Sequence, residues 1–181
     1  TYTDSITISE ETEGTTYTFK AVSASGVESD QASITVKLDK TAPDGDIKIQ
    51  ENSVKQLLNQ ITFGLFFNKN VDVTISGTDA LSGVASIQFY RSQDILTQAE
   101  VEAISDWQDY TSITETAVDA EKFVYYARIT DQAGNATIVG SDGVVFDLTA
   151  PAITGVTNGG TYYTTQSVTV ADANLATVTV N

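Results

Sequence analysis

Three residue types are missing outright: cysteine, methionine and histidine. Without cysteine there is no disulfide, no thiol nucleophile and no thiolate metal site. Without histidine the usual general base and the commonest transition-metal ligand are gone. Positive charge is scarce, with 9 Lys and Arg against 24 Asp and Glu and a formal net charge of −15. That balance argues against nucleic acid, whose phosphates need cationic partners, and against anionic membrane surfaces. Hard cations remain compatible with it. No apolar run approaches the roughly 20 residues of a membrane span, so no membrane insertion is expected. The chain opens on Thr1, shows no signal peptide, and reads as a segment cut or processed from a longer protein. A chain without oxidation-sensitive Cys and Met fits an extracellular bacterial setting.

What is present is a core and a repeat. Hydrophobic residues make up 41% of 181, enough for one full domain and parts of others. The frame apolar-Asp-x-Thr-Ala-Pro occurs twice, as Leu38-Asp39-Lys40-Thr41-Ala42-Pro43 and Phe146-Asp147-Leu148-Thr149-Ala150-Pro151. The two copies lie 108 residues apart, close to the roughly 100 residues of an immunoglobulin-type sandwich. The only two prolines sit in these frames, where a fixed φ and a missing N–H do no harm between modules. Two weaker echoes accompany them: Tyr17–Val22 with Val124–Ile129, and Val73–Asp79 with Val168–Asp172. The division expected is residues 1–39 as the last strands of one module, 40–148 as a complete module, and 149–181 as the first strands of a third.

Strand periodicity fills the middle module. Val71, Val73 and Ile75 alternate with polar residues, as do Ile87 and Phe89, and Phe123, Tyr125, Ala127 and Ile129 share one face. Val144, Phe146 and Leu148 are expected as a last inward row, after a turn at Ser141–Gly143. Two capping boxes predict short helical insertions: Ser53 to Gln56, with Leu57 and Leu58 inward, and Thr97 to Glu100, with Val101 and Ile104 inward. Trp107 is expected to cover the seam between the second helix and the sheet. The fold class is therefore all-β: immunoglobulin-like sandwich repeats with short helical insertions.

Thr130-Asp131-Gln132-Ala133-Gly134-Asn135-Ala136-Thr137, followed by the second Thr-Ala-Pro frame, resembles the bacterial immunoglobulin-like tandem repeats of large Gram-positive surface proteins. The stretch from Glu51-Asn52-Ser53 through Ile61–Phe67 is similar to a subset of them. The resemblance spans the middle module and part of each flank. It implies tandem modules on a cell-surface or secreted protein, spacing an adhesin or glycan-active domain from the wall. The first module departs from it, with Ser23-Ala24-Ser25-Gly26 where Asp-x-Ala-Gly is expected.

The chain has no Gly-x-Ser-x-Gly elbow and no phosphate-binding glycine loop, and acid pairs such as Glu100 and Glu102 read as a solvated helix face. We expect no enzyme. In a sandwich of this type one pole would gather Asp39, Asp44, Asp79 and Asp131. Asp and Asn bond their own backbone in turns, and that is the first reading of these residues. The second is calcium, which takes six to eight oxygen ligands, with Asp147 and Asp172 in the same role at the next junction. Tyr2, Tyr162 and Tyr163 read as strand residues before sugar platforms. A Lys48 isopeptide crosslink would have only Asp142 or Asp147 to meet it, and is not expected. The function expected is a spacer or stalk, its partners the neighbouring immunoglobulin-like modules. The alternative is an adhesin-type binding module for a glycan or host protein.

Overall fold

The structure, a computed structural model, describes residues 5–50, 52, 53, 58 and 60–180. It is 45% strand and 3% helix, an all-β protein. An N-terminal hairpin comprises β1 (Thr12–Phe19) and β2 (Ala32–Leu38). The central body holds β3 (Asp44–Ile49), β4 (Asn52–Ser53), β5 (Phe63–Phe67), β6 (Val71–Thr78), β7 (Val84–Ser92), α1 (Gln98–Glu102), β8 (Gln108–Asp109), β9 (Ile113–Glu115), β10 (Lys122–Asp131), β11 (Ala136–Gly140) and β12 (Gly143–Phe146). A C-terminal hairpin, β13 (Ala152–Thr154) with β14 (Thr169–Ala171), follows. Among the described residues no helix is long and apolar enough to cross a membrane.

The central body is two sheets face to face. One has the order β4-β3-β6-β9, and the other β5-β12-β10-β7-β8 with β11 also on β10. Ile47, Ile49, Val71, Val73 and Ile75 of the first sheet meet Phe123, Tyr125, Ala127, Ile129, Val144 and Phe146 of the second. Burying such side chains contributes about 1.5–3 kcal/mol each. The rings of Phe123 and Tyr125 meet edge to face at 5.6 Å, and Phe123 and Phe146 also lie 5.6 Å apart.

β10 is buried on both faces, which is why its apolar run is nearly continuous. Its other face sets Val124 and Tyr126 against Ile61 and Val101, with Trp107 and Leu58 around them. Tyr126 Oη accepts from the amide of Leu96 at 2.7 Å, anchoring the approach to α1. That helix starts as its sequence predicts: Thr97 is the N-cap, Glu100 reaches back to it, and Val101 is buried beneath. Trp107 covers the seam, with the Arg128 guanidinium 5.0 Å above its ring. β7 shows no clean alternation because both its faces are partly covered.

Close approach of the sheets is set by a glycine pair. Gly45 and Gly77 are register partners on β3 and β6. A Cβ on either would fall 2.4 Å from Ile129 Cδ1 or 2.6 Å from Ile129 Cγ2. The Ile129 side chain therefore occupies the space that two side chains would otherwise fill.

Several expectations need correction. Ser53 pairs with Lys48 in β4 and Leu58 sits in a turn; the helix expected after Ser53 falls on residues 54–57 and 59, which lie outside the described residues. Ser141–Gly143 does not reverse the chain. β11 and β12 run along the same edge of β10 with a break between them. Ser141 Oγ accepts from the Tyr125 amide at 3.0 Å, and Asp142 Oδ1 from the Thr62 amide at 2.8 Å, so side chains supply what the interrupted ladder loses. Leu148 is 47% exposed and lies beyond β12, outside the inward row.

The flanking hairpins repeat pieces of the central body. β13 and β14 pair Ala152 with Ala171, Ile153 with Val170 and Thr154 with Thr169. β3 and β6 pair Asp44 with Thr78, Gly45 with Gly77 and Asp46 with Ser76 in the same antiparallel sense. Likewise Thr15 pairs with Val36 as Phe123 pairs with Val144, both members displaced by the spacing of the linker frame. This register sets Tyr17 opposite Tyr125 in the repeat, one position away from the match to Val124 that the sequence echo gave.

Candidate metal centre at the linker

Asp39, Asp79 and Asp131 converge: one carboxylate oxygen from each lies within 4.8 Å of the others. Each arrives on a different device. Asp79 follows β6 and closes the loop to β7, its Oδ1 accepting from the amides of Leu81 at 3.1 Å and Gly83 at 2.7 Å. Asp131 ends β10, and its Oδ1 accepts from Gly134 at 2.7 Å and Asn135 at 2.9 Å. Gly134 has φ +97°, a conformation that favours glycine, which accounts for the Asp-x-Ala-Gly-Asn order. Asp39 lies in the linker, with Oδ1 on the Thr41 amide at 3.0 Å and Oδ2 on the Ser82 amide at 3.0 Å.

Asn135 closes the arrangement. Its Nδ2 donates to Asp131 Oδ2 at 2.8 Å and lies 3.3 Å from the carbonyl of Asp39 and 3.4 Å from that of Thr41. A cleft of about 280 Å³ opens beside the cluster, lined by Thr12, Glu13 and Lys37 of the first hairpin and Leu81, Ser82 and Gln132 of the central body. Ser82 holds the Asp39 carboxyl below its ordinary value, through its nearby hydroxyl first; desolvation opposes this, and the Thr41 and Ser82 amides add to it. The hydroxyl itself closes no hydrogen bond of normal geometry, so the amides are the bonds that fix the position of Asp39.

The donor set fits a hard cation. Two oxygens at 2.3–2.6 Å from one calcium ion can lie no more than roughly 4.6–5.2 Å apart, and the three carboxylate oxygens fall within 4.8 Å of one another. All donors are carboxylates, which suits calcium over thiophilic or imidazole-seeking metals. Asp79 Oδ1 and Asp131 Oδ1 each accept two amides, so a cation would meet these acids through Oδ2, which on Asp131 accepts only Asn135 Nδ2 and keeps a second lone pair.

Asp44 is outside this group. It opens β3 with its backbone paired to Thr78, and the inward positions of that strand are Gly45, Ile47 and Ile49. Strand alternation therefore sends Asp44 to the exposed face. At the next junction Asp172 Oδ1 accepts from the Asn174 amide at 2.7 Å, and Asp147 Oδ2 from Asn174 Nδ2 at 3.1 Å. The pair is tied to one loop as Asp79 and Asp39 are tied to the loop after β6.

Elsewhere, Tyr162 Oη accepts from the Thr157 amide at 2.6 Å and serves a turn, while Tyr163 is 98% exposed. Tyr2 lies outside the described residues. Asp142 is engaged with Thr62 and Gly143, and Asp147 with Asn174; among the described residues neither is bonded to Lys48.

Sequence reasoning missed one charged group that joins the two sheets. Arg91 of β7 bonds Glu115 of β9 at 2.7 Å and Glu121 at 2.6 Å, and lies 4.7 Å from the ring of Phe123. Tyr125 Oη donates to the same Glu115 carboxylate. Burial first, and then this bond, push the Tyr125 phenol well above its usual range. Glu115, Glu121 and Tyr125 all lie far from Arg91 in sequence, and no local pattern announces them.

No protein-family model matches the chain, and no curated protein does.

Proposed function

We propose that the chain is a run of tandem immunoglobulin-like modules of a bacterial surface or secreted protein, working as a stiff spacer that projects a distal domain. The module boundaries proposed are 1–39, 40–148 and 149–181. The observation that carries this reading is the repetition of strand register: the last hairpin reproduces β3 with β6, and the first reproduces β10 with β12. A repeat that preserves register preserves the way each module meets its linker. Linkers of five residues between strand ends, 39–43 and 147–151, each containing a proline, leave little room for bending.

The acids at the first linker are the second element of the proposal, as a calcium site that braces the joint. The hairpin of the first module bears on this. Ser23 is the counterpart of Asp131 one repeat earlier. Its hydroxyl accepts from the Val27 amide at 3.0 Å while its own amide bonds the Val27 carbonyl. A hydroxyl is thus enough to close that turn. A carboxylate that is 2% exposed at residue 131 adds charge that the turn itself does not require.

Small-angle scattering on several consecutive modules tests the spacer reading. An extended particle, its length growing in proportion to module number, is the expected result. A compact globule overturns it.

A further inference from the structure

Two carboxylates, one repeat apart, make the same pair of bonds to the two linkers. Glu11 Oε1 accepts from the amide of Lys40 at 2.7 Å and from the hydroxyl of Thr41 at 2.8 Å. Asp119 accepts from the amide of Leu148 at 2.7 Å on Oδ1 and from the hydroxyl of Thr149 at 2.7 Å on Oδ2. Acid, amide donor and hydroxyl donor are all displaced by the same offset as the Thr-Ala-Pro frame. Glutamate does with one oxygen what aspartate does with two.

We propose that Glu11 and Asp119 are joint-locking residues: each belongs to the module that the chain is leaving and holds the threonine of the Thr-Ala-Pro linker, so that successive modules keep a fixed mutual orientation. This rests on the tandem-module reading above and deepens it.

Three further observations support the lock. The position before each threonine is Lys40 in one copy and Leu148 in the other, a change that costs nothing when only the backbone amide is used. Threonine is retained where its hydroxyl is used. Each linker is also gripped from the module it enters. Asp39 accepts from the Ser82 amide and Asn135 reaches the carbonyls of Asp39 and Thr41, while Asn174 donates to Asp147. Thr41 is therefore bonded backwards through its hydroxyl and approached forwards at its carbonyl. At the second joint the backbone just after the acid is knitted to the strand that ends there, with the Ala120 amide on the Phe146 carbonyl at 2.9 Å and the Phe146 amide on the Glu121 carbonyl at 2.8 Å. The acid thus stands on a rigid base.

The bonds are solvent-exposed, and such bonds add little to global stability, so the readout is orientation rather than melting. The chain has no cysteine, which permits a single pair of spin labels on the full chain, at Glu102→Cys and Thr154→Cys. Pulsed dipolar spectroscopy of this pair is expected to give one narrow distance peak. Asp119→Ala and, independently, Thr149→Val are expected to lose that narrow peak to a broad distribution, with the melting of the central sandwich unchanged. Leu148→Lys, which copies the first linker, is expected to keep it. Labels at Thr35→Cys and Glu102→Cys with Glu11→Ala repeat the test at the first joint. A narrow peak that survives both Asp119→Ala and Thr149→Val overturns the lock and leaves the spacer standing. A broad peak in the unmutated chain overturns both.

Discussion

Asp119 illustrates how a single side chain can be titrated as a reporter of architecture. The amide of Leu148, first, and the hydroxyl of Thr149 hold its carboxyl below the ordinary value of 3.8, against a smaller desolvation effect. A depressed carboxylate contributes fully above its unfolded pKa, and its contribution is lost as pH falls through the lower folded value. A carbon-detected titration of the side-chain carboxyls should therefore place Asp119 below 3.8, and Thr149→Val should move it back up. A midpoint at or above the ordinary value would mean that the linker bonds are not formed in solution. None of this was visible in the sequence. Glu11 and Asp119 differ in type, and neither lies in the repeated frame; only the partners of that frame reveal them. The three clustered acids were more legible, because Asp79 and Asp131 end strands that point to one pole. Asp44 was misplaced for a local reason, since alternation along β3 turns it away.

At the scale of elements, periodicity was readable where one period dominated. β6 alternates cleanly between buried Val71, Val73 and Ile75 and exposed neighbours, and the capping box at Thr97 marks α1 without help from tertiary contacts. Replacing Thr97 with Ala should cost about 1 kcal/mol in chemical denaturation, the usual value of an N-cap. An unchanged midpoint would mean that α1 is held by Val101 alone. What periodicity could not reveal is how the sheets approach. Gly45 and Gly77 look like weak points in strands, yet they make the slot for Ile129. Gly77→Ala is expected to destabilise by about 1–3 kcal/mol through overpacking, because the methyl would meet Ile129 near its branch point rather than at a flexible tip. Ile129→Ala alone is expected to cost about 2–5 kcal/mol. In the double variant the new methyl occupies part of the vacated slot, so the combined loss should fall short of the sum. Strict additivity would show that Ile129 and the glycine pair do not share that space. The break between β11 and β12, and the very short strands β4 and β8, were illegible for another reason: so short a ladder is fixed by its neighbours, as the bond from Thr62 to Asp142 shows.

At the scale of the whole molecule, the net charge of −15 and the gathering of Asp39, Asp79 and Asp131 pose one question: what offsets the mutual repulsion of three carboxylates at a joint. Amide donors from Thr41, Ser82, Leu81, Gly83, Gly134 and Asn135 already do part of this. A divalent cation would do the rest and would tie the linker residue Asp39 to two loops of the following sandwich. Binding to the folded state alone raises stability by mass action, about 2.7 kcal/mol at a free concentration one hundred times Kd. The full chain is therefore expected to melt higher in millimolar calcium than in chelator, with measurable heat on calorimetric titration. Asp131→Ser should keep the hairpin closed, as Ser23 does in the first module, while removing the calcium response. Asp79→Asn should weaken it strongly, and Asp44→Asn should leave it intact, because Asp44 stands outside the group. If melting is the same with calcium and with chelator, and titration gives no heat, the three aspartates are turn residues and the joint is held by hydrogen bonds alone.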